Sequence, residues 1–147
     1  MKHKLLYLLL AMATLASACI KNTTETTSTP EPSGTFTGQY TMLHRALGAT
    51  KIDTPQKAIV TITLTSATHL FTVTGDTTVH AGSLGSYSVS SPFITFIDKT
   101  YPKTGVPVKT HLYGIYQYYY DGSNVFQMLG GNDTVNVEYD LKKVTTN

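Results

Sequence analysis

The feature that most constrains this chain is its rhythm from Thr35 to Val144. Thr, Val, Ile, Tyr and Phe recur there in short runs, often alternating with polar residues and separated by Gly, Pro, Asn and Asp. Alternation sends successive side chains to opposite faces of an extended strand. β-Branched and aromatic side chains suit such a pleated surface. No stretch keeps a helical period with capping residues. The sequence therefore predicts an all-β domain.

Eight strands can be read in order. They are Phe36 to His44, Ala58 to Leu64, His69 to Thr74, Gly85 to Val89, Phe93 to Ile97, Thr110 to Tyr120, Val125 to Leu129 and Thr134 to Val144. In the second, Val60, Ile62 and Leu64 share one face and Thr61, Thr63 and Thr65 the other. In the eighth, Val135, Val137, Tyr139 and Leu141 alternate with Asn136, Glu138, Asp140 and Lys142. Asp121-Gly122 predicts a two-residue type I′ hairpin turn. Asp98 to Lys109, with Pro102, Gly105 and Pro107, predicts a long loop at one rim. Short strands joined by tight turns form an antiparallel meander. Closure into a barrel removes its exposed edges. Eight strands enclose room for side chains or for one small ligand.

The N-terminus carries different information. Met1-Lys2-His3-Lys4 is basic, and Leu5 to Leu15 is apolar except for Thr14. The stretch is shorter than the roughly 20 residues that span a bilayer. Ala16-Ser17-Ala18 then leads into Cys19, the single cysteine. Small side chains suit a signal peptidase pocket, and a thiol just after the cut can accept a diacylglyceryl group. Leu15 to Cys19 resembles the lipobox of bacterial lipoproteins, which implies cleavage before Cys19 and lipidation of Cys19 with diacylglyceryl and palmitate-type acyl chains. One cysteine also excludes an intramolecular disulfide. Residues 1–18 are thus expected as a signal peptide and 35–147 as the barrel. Residues 19–34, rich in Thr and Pro and poor in apolar side chains, are expected as the lipidated Cys and a disordered tether. A coil of that length spans on the order of 20 Å.

Charge supports the same organisation. The chain has 11 Lys and Arg against 9 Asp and Glu. Loss of Lys2 and Lys4 with the leader makes the remainder formally neutral. No basic run follows, so nucleic acid is not an expected partner. The lipid is the expected membrane attachment.

Four segments in the barrel region resemble a group of small lipocalin-like lipoproteins of Bacteroidetes-type bacteria. Gly38-Gln39-Tyr40 stands where lipocalins have Gly-x-Trp. Gly85-Ser86-Tyr87-Ser88-Val89 is followed by Ile94-Thr95-Phe96. Leu112-Tyr113-Gly114-Ile115-Tyr116 leads to Tyr120-Asp121-Gly122, and the chain closes with Tyr139-Asp140-Leu141-Lys142-Lys143. The resemblance implies a small lipocalin-like barrel, and the lipid on Cys19 places its expected site at the cell envelope, on the outer membrane rather than the inner, periplasmic or surface-facing. The resemblance also implies a small-ligand role without catalysis.

Candidate chemistry is sparse. His44, His69, His80 and His111 have no short metal-ligand spacing, so no metal or other cofactor is expected. Gly82-Ser83-Leu84-Gly85 lacks the spacing of a nucleophile elbow, and no paired carboxylates or phosphate loop can be read, so no catalytic residue is assigned. Tyrosines are the unusual group. Tyr116, Tyr118 and Tyr120 share one strand face, while Tyr113 and Tyr119 take the other. A ring with a polar tip suits amphiphiles, sugars or peptides. The same rings can simply fill the barrel through cross-strand pairs. Tyr116, Tyr118 and Tyr120, with Tyr40 and Tyr87 as interior partners, are the candidate ligand-binding residues. The leading expectation is a lipid-anchored binder of a small, partly apolar ligand, held in the barrel or at its mouth. The alternative is a solid barrel docking a protein or glycan through exposed tyrosines.

Overall fold

The computed structural model describes residues 29–145. The signal segment, Cys19 and the first part of the tether lie outside the described residues. Eight strands follow in sequence: β1 (Gly34–His44), β2 (Gln56–Thr65), β3 (Leu70–Gly75), β4 (Ser83–Ser90), β5 (Phe93–Asp98), β6 (Gly114–Tyr120), β7 (Val125–Gly131) and β8 (Val135–Lys143). Each pairs antiparallel with the next, and β8 returns to β1 with Tyr139 opposite Tyr40. The result is a closed eight-stranded meander barrel.

The alternation read from sequence sets the two faces. Ala58, Val60, Ile62 and Leu64 of β2 point inward, as do Val137, Tyr139 and Leu141 of β8. Glu138 and Asp140 face solvent. Two inward positions are glycines for a steric reason. A Cβ on Gly38 would lie 2.1 Å from the Asp140 carbonyl oxygen, and one on Gly85 would lie 2.0 Å from that of Ile97. Neighbouring backbone approaches there too closely for any side chain.

Three local readings differ from the structure. The sixth strand begins at Gly114 rather than Thr110, because Thr110 pairs in parallel with His80 of the β3–β4 connection. Asp121-Gly122 is part of a longer loop rather than a two-residue turn. The Asp121 carboxylate accepts the amide N–H groups of Ser123, Asn124 and Val125, which holds the chain open over residues 121–124. The tether also ends earlier than its composition suggests. Gly34 already belongs to β1, and Thr29 to Ser33 lie across one end of the barrel.

The two ends are therefore unlike. At the strap end, Pro32 is buried, the Tyr118 hydroxyl donates to the Thr29 carbonyl at 2.9 Å and the Tyr87 hydroxyl donates to Glu31 at 3.1 Å. Buried phenols need acceptors, and the strap's carbonyls and carboxylate supply them. The opposite end is bordered by the loops after β1, β3, β5 and β7, and it is the more open.

Candidate functional site

The five tyrosines singled out from sequence are all interior. They do not form one site. Tyr87, Tyr118 and Tyr120 lie toward the strap end, where the Tyr120 hydroxyl donates to the Ser123 carbonyl. Tyr40 and Tyr116 lie toward the open end. Between the ends, rings pack edge-on or tilted against one another. Phe36 meets Phe126 and Tyr120, Phe96 meets Phe71, Tyr87 and Tyr116, and Tyr116 meets Tyr139. Such a chain of rings fills the barrel's middle as packed core.

Space opens above this core. A cleft of about 650 Å³ lies at the open end, between the rim and the β5–β6 loop. Its walls mix apolar Met42, Val79, Val106, Val108 and Val135 with Lys109, His111 and Asn132. Val106 and Val108 are 91% and 100% exposed, so the loop tip presents bare apolar side chains beside the cleft.

A polar layer lies beneath the cleft, where it meets the core. His80, from the β3–β4 connection, is inserted into the barrel and 1% exposed. Its Nδ1 lies 2.7 Å from the Ala81 carbonyl, which can only accept, so Nδ1 carries the proton. Nε2 is then the acceptor for the Tyr139 hydroxyl at 2.8 Å. The Tyr40 hydroxyl donates to Thr110 Oγ1 at 2.6 Å. Tyr116 lines the cleft directly, with its hydroxyl toward the Tyr113 carbonyl. Burial disfavours charge throughout this group. It lowers the His80 pKa below 6.5, raises that of Tyr40, and pushes Tyr116 up to about 12. Tyr139 is raised well above its ordinary value by burial, then by its tyrosine neighbours. This layer is thus neutral and hydrogen-bonding.

Beside it sits an oriented imidazole. Asp98 is buried, with one carboxylate oxygen accepting from the amide and hydroxyl of Thr100. The other accepts from His111 Nδ1 at 2.7 Å. Tyr101 packs edge-on against the His111 ring. Nδ1 is thereby occupied, and Nε2 has no partner among the described residues. The pair can orient a donor or acceptor on a ligand. No hydroxyl is bonded to that Nε2 among the described residues, so no activated nucleophile accompanies it. Nor does any group of three or more His, Cys, Asp or Glu there have the arrangement to hold a metal ion.

Sequence reasoning noted His80 and His111 without their partners. His80 meets Tyr139 across 59 positions of sequence, which no local spacing reveals. Asp98-Lys99-Thr100 does carry a local signal, because an Asp two residues before a Thr commonly closes a side-chain turn onto its backbone.

No family model, curated protein or solved structure matches this chain.

Proposed function

We propose that this protein is a lipid-anchored, non-catalytic binding protein of the cell envelope, whose small, partly apolar ligand sits in the cleft at the barrel's open mouth. The observation that carries the reading is the cleft itself, its walls partly apolar through Met42, Val79, Val106, Val108 and Val135 and bounded by the Tyr116 and His111 side chains. Small-molecule sites have this mixture of apolar surface and few polar groups. The packed rings below favour the mouth over the barrel's middle as the place of binding. Attachment through Cys19 fits the same geometry. The chain enters at the strap end, ten residues after Cys19, a span of at most about 35 Å. A lipid there would turn the strap end toward the bilayer and the mouth away from it.

Native mass spectrometry of the full-length protein, extracted from its own host's membrane, tests this. The expected spectrum carries one small-molecule adduct, lost when Val108→Asp and Val135→Asp are combined. Putting charge against a buried apolar ligand costs a few kcal/mol, enough to empty the site. A bare mass for the unaltered protein, or an adduct indifferent to both substitutions, would sink the reading.

A further inference from the structure

The outer wall carries a second arrangement, independent of the mouth. Register across β6, β7 and β8 sets six outward side chains in two rows. Tyr119, Gln127 and Asp140 stand in one, and Gln117, Leu129 and Glu138 in the next. Their chain neighbours Tyr118, Met128 and Tyr139 point into the core. The six line an open groove of about 470 Å³. Tyr119 and Leu129 are 55% and 49% exposed. Gln127 Nε2 donates to Asp140 Oδ1 at 3.2 Å, which holds two of the polar groups in a fixed relation.

The chemistry of these rows is selective. Four of the six side chains end in a planar amide or carboxylate. Such groups pair with adjacent hydroxyls, the amide both donating and accepting, the carboxylate accepting. An exposed tyrosine offers a flat apolar face for the C–H face of a sugar ring, and its hydroxyl stays in water. No Lys or Arg lines the groove, and Glu138 and Asp140 repel anions, so acidic polysaccharides are disfavoured. A basic peptide would match the two acids by charge, which makes it the competing occupant. A protein interface would want a charge-poor centre, and Glu138 and Asp140 stand within this one. Adjacent strands lie roughly 4.8 Å apart, so β6 to β8 span about 10 Å, room for about two pyranose rings.

We propose that this groove binds a neutral oligosaccharide, with one sugar ring stacked on Tyr119 and hydroxyls held by Gln117, Gln127, Glu138 and Asp140. The test is isothermal titration of the full-length protein in a zwitterionic, sugar-free detergent. The probes are hexamers of β-linked glucose, xylose and N-acetylglucosamine, with polygalacturonate and oligolysine alongside. At least one neutral hexamer binds. Tyr119→Ala and Gln127→Ala each weaken it by about tenfold, the scale of one good stacking or hydrogen-bonding contact. Tyr119→Phe keeps most of the affinity, and the melting temperature of every variant stays at that of the unaltered protein. Binding of none of the three hexamers overturns the proposal. So does undiminished binding in the Tyr119→Ala, Gln127→Ala double variant, and so does binding of only polygalacturonate or only oligolysine.

Discussion

His80 is a polar side chain placed where barrels of this size usually carry apolar ones. Both ring nitrogens are matched, one by a carbonyl that can only accept and one by a hydroxyl that donates. His80→Ala would leave the Tyr139 hydroxyl unpaired at the centre of a new cavity. It should cost about 2–4 kcal/mol in denaturant unfolding, from the lost packing and the stranded donor. The same residue makes stability depend on pH. Its pKa is lowered in the fold, so below 6.5 the unfolded chain takes up a proton that the folded chain refuses. His80 therefore costs no stability above the ordinary value of 6.5, and the fold weakens as pH falls from there toward the lowered one. Melting curves between pH 7 and pH 5 should show a decline that is shallower in His80→Gln. An equal slope in the two proteins would contradict this account. That a histidine stood at position 80 was plain from the sequence; that it would be inserted into a barrel was not, because the rings it packs against, Tyr40 and Tyr139, arrive from β1 and β8.

The strap from Thr29 to Ser33 is the element whose role changed most. Its composition, with two prolines and few apolar residues, reads as a tether. Against the barrel end the same residues become useful. Pro32 is buried, and backbone carbonyls meet the Tyr118 hydroxyl. Nothing in the segment itself announces this, since the need for acceptors arises from Tyr87 and Tyr118, 56 to 89 positions away. Tyr118→Phe should remove about 1 kcal/mol and lower the melting temperature by about 4 °C. Tyr119→Phe, one residue along but facing outward, should leave it unchanged. Equal melting of both variants would mean that the strap's hydrogen bonds contribute nothing to the fold.

At the scale of the whole molecule, the barrel has an entry end, an open mouth and a wall with its own chemistry. The proposed anchor determines which of these faces the membrane. Cys19→Ser should shift the protein from the membrane pellet to the soluble fraction and abolish incorporation of an alkyne-tagged fatty acid. Without Lys2 and Lys4 the remainder is formally neutral and has no strong electrostatic attraction to anionic lipids to replace the lipid. Retention of the variant in the pellet would show that another surface holds the protein to the bilayer. With the anchor in place, the mouth and the outer groove are both free to meet solutes from the side away from the membrane.

The sequence by itself determined the strand class, the number and order of the strands, and which side chains on each point the same way. These follow from alternation, a property of adjacent residues that survives in any extended strand. It also determined that Tyr116, Tyr118 and Tyr120 would part from Tyr113 and Tyr119. Only the tertiary structure decided that the first set is inside, that it divides between two ends, and that His80, Tyr139, Asp98 and His111 assemble at one of them. It also set Tyr119 beside Gln127 and Asp140 on the outer wall. The reason is register. Pairing brings together residues far apart in sequence, and each loop's length and internal hydrogen bonds set which residues those are. Local pattern says which way a side chain points, and closure of the barrel says what it meets there.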